Sequence, residues 1–184
     1  MKKELLIALS VSLITLFFTG LVYPFLITQI ADSLFSYKAS GSLIRGSQDQ
    51  IIGSELLRQD FKNPAYFFPR PSTEESNLAP TSKLLITRIQ ARIAEIKRIN
   101  TNLIPIDLVT ISASGFDPHI SMEAALWQAP QIALHRNVDL KYIATLIENL
   151  KEDPQFYILG ESRLNVLKLN LALDASFGAP AGSL

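Results

Sequence analysis

The chain contains no cysteine. Disulfides, thiolate zinc sites, iron–sulfur ligation and lipid attachment through an N-terminal cysteine are therefore excluded, and any membrane attachment has to come from apolar side chains. A cysteine-free domain is at home on either side of a membrane, so the redox compartment stays open. Net charge is also lacking: 17 Lys plus Arg stand against 17 Asp plus Glu in 184 residues. Without a positive field there is little to draw the chain onto nucleic acid, and a DNA or RNA partner is disfavoured. Histidine is scarce, with only His119 and His135, and there is no HExxH or EF-hand spacing, so a metal site is short of ligands. No glycine precedes a lysine, there is no GxGxxG, and neither an Asp-Lys-Thr-Gly phosphorylation run nor a TVGYG filter occurs. The chain by itself is thus expected neither to hydrolyse ATP nor to conduct ions.

What is present, first, is a long apolar run. Between Glu4 and Asp32 the only ionisable residue is Tyr23, and Leu5 to Ala31 is dominated by leucine, isoleucine, valine and phenylalanine. At ~1.5 Å per residue this is about 40 Å of helix, enough to cross a hydrocarbon core of ~30 Å with room for tilt. The predicted span has Leu5 and Ile30 near its ends. Gly20 with Ser12, Thr15 and Thr19 offers small positions for close contact with another helix, and Pro24 is expected to kink the last third. A cleaved signal is the rival, but the run is about twice a signal core in length and no small-x-small site follows it. Lys2 and Lys3 precede the span, whereas its far side opens with Asp32 and meets only Lys38 nearby. The positive-inside rule then puts the N-terminus in the cytoplasm and the remainder outside. Residues 1–36 form the cytoplasmic N-terminus and anchor, and 37–184 an extracytoplasmic domain large enough to bury a core.

Within that domain, Ser40 to Gly46 and Gly53 to Gln59 read as two small strands, or a strand and a helical turn. Asn63 to Pro80 carries four prolines and reads as an ordered loop whose Tyr66, Phe67 and Phe68 must pack somewhere. Thr81 or Ser82 caps a helix with Leu85, Ile89, Ile93 and Ile96 on one face. Its opposite stripe of Arg88, Arg92, Lys97 and Arg98 is either a solvated face or a contact for anionic lipid or an acidic partner. Ile106 to Ile111 is expected to be a buried central strand. Ser121 caps a helix to about Arg136 that Pro130 should interrupt or kink. Asp139 caps another, with Leu140, Ile143, Ala144, Ile147 and Leu150 inward. Leu164 to Leu173 alternates as a half-buried strand would, with a short helix over Asn165 to Leu173 as the alternative, and the tail after Asp174 is expected to fray. The fold class is mixed α/β (α+β) behind one N-terminal transmembrane helix.

The one polar concentration is the loop Ser112 to Ser121. Ser112, Ser114, Asp117 and His119 are the residue types of a hydrolase triad. Yet Ile111-Ser112-Ala113-Ser114-Gly115 supplies only the second glycine of a nucleophile elbow, and Asp117 and His119 flank Pro118 as loop-stabilising hydrogen bonders would. A membrane-tethered external hydrolase or binding module using the Ser112–His119 loop is the alternative function.

Seven stretches in one order carry a resemblance: TGLVYP (Thr19 to Pro24), GSLI (Gly41 to Ile44), GSELL (Gly53 to Leu57), Arg70-Pro71-Ser72, SNLAP (Ser76 to Pro80), DLVTISASGFDPHIS (Asp107 to Ser121) and LGESRLNVLKLNLALD (Leu159 to Asp174). On these the chain resembles the C-subunit family of Kdp potassium-transporting P-type ATPases, from the anchor almost to the end. Ala79, Phe116, Met122 and Phe68-Pro69 depart from the commoner family residues. The resemblance implies a non-catalytic accessory subunit of a bacterial inner-membrane potassium importer. Its implied partners are a channel-like potassium-binding subunit, an ATP-hydrolysing pump subunit and a very small membrane peptide, with lipid around the helix; potassium is handled by those partners. It also implies a role in raising the pump subunit's ATP affinity. Were nucleotide to bind this chain, the family motif points to Ser112, Ser114, Gly115, Asp117 and His119.

Overall fold

The computed structural model describes residues 2–46, 48–72 and 77–180. Part of the proline-rich loop, including Ser76 of the SNLAP stretch, and the last four residues lie outside these. The chain divides into two compact units, Met1–Ser54 and Glu55–Leu184.

In the first unit helix runs almost without a break. Helix α1 spans Lys2–Phe17, a π-helical turn occupies Phe18–Val22, and α2 continues over Tyr23–Ala39. The π turn has a local cause. Pro24 brings no N–H and its ring crowds the preceding turn, and the wider hydrogen bond from Tyr23 N–H to the Phe18 carbonyl just ahead of it makes room. A second irregularity falls at Phe35, where φ −137° and ψ 42° leave the helical region. Thr19 and Thr28 hydroxyls donate to the carbonyls of Thr15 and Pro24, which satisfies them without water. No residue of α1 or α2 is buried. After α2 a hairpin forms from β1 (Leu43–Arg45) and β2 (Ile51–Ser54), antiparallel with a register shift after Ile44. The first expected strand lies within Ser40 to Gly46, but the second is displaced: β2 begins at Ile51 and ends at Ser54, and most of Gly53 to Gln59 is turn and coil.

The second unit is built around two strand-to-helix junctions. Strand β3 (His119–Ser121) pairs antiparallel with β4 (Arg163–Asn165), Ile120 facing Leu164, and each strand turns straight into a helix. Ser121 Oγ accepts from Ala124 N–H to start α4 (Met122–Arg136), and Asn165 Oδ1 accepts from Lys168 N–H to start α6 (Val166–Phe177). Between them α5 (Leu140–Asn149) starts at Asp139, whose carboxylate accepts from Lys141 N–H, as expected. Helix α4 ends at Asn137 in the left-handed region, which asparagine tolerates better than most residues. The core gathers Ile120, Ala124, Ala125, Ile132, Ile143, Ile147, Leu164, Leu169 and Leu173, with Phe67 and Leu108 brought in from the loops.

Several expectations need correction. Ile106 to Ile111 is no central strand: Ile106–Leu108 is a 3₁₀ turn, only Leu108 is fully buried, and Ile106 is 75% exposed. Pro105 directs the chain into the turn, and the carbonyls beyond it are taken by side chains instead of a ladder, Arg70 donating to those of Thr110 and Ile111. Leu164 to Leu173 is a three-residue strand followed by α6, so the helical alternative is the correct one. Val166, Leu169, Asn170 and Leu173 share a buried face at helical spacing. That helix runs to Phe177 past Asp174 because Arg136 Nη1 donates to the Gly178 carbonyl at 2.8 Å. Pro130 leaves α4 uninterrupted. In α5, Ile143 and Ile147 are fully buried and Ala144 and Leu150 partly so, but Leu140 is 45% exposed. Helix α3 (Lys83–Ile96) presents the predicted face, yet only Ile96 of it is fully buried.

The aromatic run of the proline-rich loop is anchored by buried amides. Gln128 on α4 accepts from Phe68 N–H at 2.9 Å and donates to the Phe68 carbonyl. Tyr66 and Phe67 are both buried. Arg136, its side chain 3% exposed, donates to the Ala65 carbonyl and to Asp174 Oδ1, both at 2.8 Å, and stacks 4.9 Å over the Tyr66 ring. Tyr66 in turn donates to Asp174 Oδ2 at 2.7 Å.

Candidate functional site

The loop singled out in the sequence leaves the 3₁₀ turn and ends in β3, so one end is fixed by Leu108 in the core and the other by the ladder to β4. Gly115 sits at φ 72°, a conformation that favours glycine, and its N–H donates to the Ser112 carbonyl at 3.1 Å. Ser112 is buried at 5% exposure, whereas Ser114 faces solvent. Ser114 Oγ accepts from Phe116 N–H at 3.2 Å. Asp117 Oδ1 accepts from the backbone of His119 at 3.1 Å and lies 2.9 Å from His119 Nδ1. The amides of Gly115, Phe116 and His119 are thus all engaged within the loop.

His119 is the hinge of a wider charged chain. Its Nε2 is 3.7 Å from Glu152 Oε2, and Glu152 also holds Arg163 Nε at 3.2 Å and Lys168 Nζ at 3.3 Å. Lys168 continues to Glu55 at 3.1 Å. On the other side Arg70 Nη1 lies 3.9 Å from Asp117 Oδ2 while its remaining donors bind Thr110 and Ile111. Partial burial pushes the Glu152 carboxyl upward, but the hydrogen bonds from Arg163 and Lys168 and the neighbouring positive charge outweigh it and hold the group below the usual carboxylate range. For Lys168, partial burial pulls the amine down, and the bonds to Glu55 and Glu152 more than reverse it. Beside these groups opens a cavity of about 400 Å³ lined by Arg70, Thr110, His119, Ser121, Ser162 and Arg163, together with the carboxylates of Asp107, Glu123 and Glu161.

The structure therefore brings Asp117 and His119 together and keeps Ser114 apart from them. Both ring nitrogens of His119 face carboxylates, and no serine oxygen is among its partners among the described residues. A base without a nucleophile in reach does not make an acyl-transfer site. Among the described residues no group of three or more His, Asp or Glu side chains is placed to hold a metal. Arg70, Glu152, Arg163, Lys168 and Glu55 were missed as a set, because their contacts join segments far apart in the chain; the only sequence signal was that Arg70, Arg163, Lys168 and Glu55 fall inside family stretches, while Glu152 does not.

The remaining candidates are those of the apolar helix. Leu5 is 71% exposed, Tyr23 62% and Ile30 52%, with Gly20 in the π turn and Pro24 the second residue of α2 after it. Lys2–Ala39 is long and apolar enough to cross a membrane. Side chains of this kind left uncovered along such a length fit lipid or other apolar helices around them.

Fold and site define a mixed helix-and-sheet domain behind one apolar helix long enough to cross a membrane once. Comparison with known proteins gives the particular family. The family model of the K+-transporting ATPase, c chain, KdpC, matches residues 5–175. The chain is 40% identical to the potassium-transporting ATPase KdpC subunit of Myxococcus xanthus, over 97% of this chain and 90% of that one. It is 42% identical to that of Methylococcus capsulatus over 91% and 95% of the two chains, and 44% identical to that of Rhodospirillum rubrum over 86% and 89%. The chain belongs to the KdpC family, as a subunit of a potassium-transporting ATPase and not a catalytic protein by itself.

Proposed function

We propose that this chain is a non-catalytic accessory subunit that stabilises a high-affinity, ATP-driven potassium importer, inserted once in the bacterial inner membrane with its N-terminus in the cytoplasm and its domain outside. The carrying observation is the helix Lys2–Ala39, apolar throughout its middle and without a buried residue. The orientation is supported by Lys2 and Lys3 before the span against Asp32 and Lys38 near its far end. Its partners in this reading are a channel-like potassium-binding subunit, a pump subunit that hydrolyses ATP and a small membrane peptide. The test is co-purification of a tagged full chain from potassium-starved cells in mild detergent, with potassium-stimulated ATPase activity assayed in the same fraction. Recovery of the other subunits with activity, lost when this chain is deleted, is expected; recovery of this chain alone overturns the reading. Because the chain has no cysteine, a single Thr101→Cys reports topology: an impermeant maleimide should label it on spheroplasts without lysis.

A second reading carries the family role in ATP affinity to the Ser112–His119 loop. It is favoured by Arg70, Arg163 and the hydroxyls of Thr110, Ser121 and Ser162 around the neighbouring cavity, which are donors of the kind that hold phosphate. It is opposed by Asp107, Glu123 and Glu161 in the same lining. Saturable ATP binding to the full chain, lost in Arg70→Ala, supports it, and no binding at millimolar ATP overturns it.

A further inference from the structure

Between Asp153 and Glu161 the chain has no charged residue. There it folds into a tight tip that exposes its side chains instead of covering them. Phe156, Tyr157 and Ile158 are each 83% exposed, and Leu159 is 61% exposed. This is no loose loop. Gln155 and Leu159 exchange backbone hydrogen bonds at 3.0 and 2.9 Å, Tyr157 N–H donates to the Pro154 carbonyl at 2.9 Å, and Ile158 N–H donates to the Gln155 carbonyl at 3.2 Å. Gly160, at φ 91°, turns the chain out of the tip.

The backbone of the tip carries strain. Phe156 and Tyr157 stand at φ 54° and 60°, the left-handed region that bulky residues rarely adopt. Hairpin turns that need this conformation normally use asparagine, aspartate or glycine. Here two aromatics occupy it and are held outward, each 83% exposed among the described residues. An apolar cluster of this size, locked in shape, marks an interaction surface.

We propose that Phe156–Leu159 is a preformed anchor that inserts into an apolar pocket on another integral subunit of the potassium-transporting ATPase; the inference rests on the subunit reading above. Strain is what favours a protein pocket over lipid. A fluid bilayer accepts any apolar loop, and aiming two aromatic rings at a backbone cost gains nothing there, whereas a shaped pocket rewards rings already held in place. Charge points the same way: Glu152 beside the tip is already paired with Arg163 and Lys168, and the remaining flanking charges of Lys151, Asp153 and Glu161 are few and mixed in sign, so the contact relies little on ionic attraction and depends only weakly on salt. Each buried aromatic offers ~150–250 Å², so the tip falls short of the ~800 Å² per partner of a self-sufficient interface. It works beside the packing of the membrane helix, the two contacts reinforcing each other.

The test uses the full chain in the assembled complex. A photoreactive benzoylphenylalanine replaces Ile158, with the same group at exposed Thr101 as control, and Phe156→Asp with Ile158→Asp is assayed for retention during detergent washing. Phe156 and Ile158 are each 83% exposed, so the two charges leave the fold intact; the Trp127 near-ultraviolet dichroism checks this. The expected result is a covalent adduct from position 158 to another subunit, none from 101, and dissociation of the Asp pair about tenfold faster or more, with wild-type retention changed little by salt. An adduct to phospholipid only, no adduct at all, or normal retention of the Asp pair overturns the proposal. If the wild-type chain fails to co-purify with the ATPase, the subunit reading fails; if it co-purifies without an adduct, only the anchor does.

Discussion

Asn170 clasps Phe67 across 103 residues of chain: its Oδ1 accepts from the Phe67 N–H at 2.8 Å and its Nδ2 donates to the Phe67 carbonyl at 2.9 Å. The pair of bonds does for the loop what a β-ladder would do, and Gln128 repeats it on Phe68. Both amide side chains are 1% exposed. Asn170→Ala strands a buried donor and a buried acceptor, at roughly 1–3 kcal/mol apiece. A loss of about 2–6 kcal/mol is expected in urea unfolding of the full chain in detergent. Asn170→Asp is expected to be at least as damaging at neutral pH, since a carboxylate then faces the Phe67 carbonyl, and to recover partly in acid.

Arg136 joins α4, the proline-rich loop and the end of α6 through one planar group. Lysine keeps the charge but cannot reach the Ala65 carbonyl, the Gly178 carbonyl and Asp174 together, nor stack on Tyr66 in the same way. Arg136→Lys is expected to lower stability by about 2–4 kcal/mol, and a Tyr66→Phe, Arg136→Lys double mutant to cost less than the sum of the single changes because both act on Asp174.

The Glu152–Lys168 pair sets two edges in the pH dependence of stability. Glu152 is depressed below its ordinary 4.5, so its contribution is present above that pH and is lost as pH falls through the folded value. Lys168 is raised above 10.5, so its contribution is present below that pH and is lost as pH rises through the folded value. The thermal midpoints of wild type and Glu152→Gln should therefore differ at neutral pH and converge as pH falls through the folded Glu152 value; as pH rises through the folded Lys168 value the difference should shrink but not vanish, because Arg163 keeps its charge and its bond to Glu152.

Ser114 caps a turn on the surface and is not poised for attack. Ser114→Ala is expected to change stability by no more than ~0.5 kcal/mol. A serine-reactive fluorophosphonate should leave the wild-type chain unlabelled. Labelling that Ser114→Ala abolishes would instead establish the tethered hydrolase.

Much of the local structure could be read directly. Ser121 and Asp139 cap helices because a short polar side chain before an apolar run satisfies the first free N–H groups, whatever surrounds it. The first strand after the membrane helix, the α3 face and the irregular proline-rich loop follow equally from nearest neighbours, whereas β2 lies ahead of the segment expected for it. Ile106 to Ile111 failed because β-branched residues say that a segment fits a strand and not whether another strand is there to pair with it. At this position the partners are the guanidinium of Arg70 and the carboxylate of Asp107, which accepts from Ser121 N–H at 2.7 Å. Of the site, the Asp117–His119 contact was legible from two-residue spacing around proline. The link from His119 to Glu152, and onward to Lys168 and Glu55, was not.

By itself the sequence determined the apolar span, the helix starts and the family, since each depends on residues adjacent in the chain or on ordered stretches of it. Only the tertiary structure decided which buried polar groups meet: Asn170 with Phe67, Gln128 with Phe68, Arg136 with Asp174. Such pairings are chosen by where the core brings distant backbone groups out of water, and an unpaired polar group there costs more than any local preference can offset.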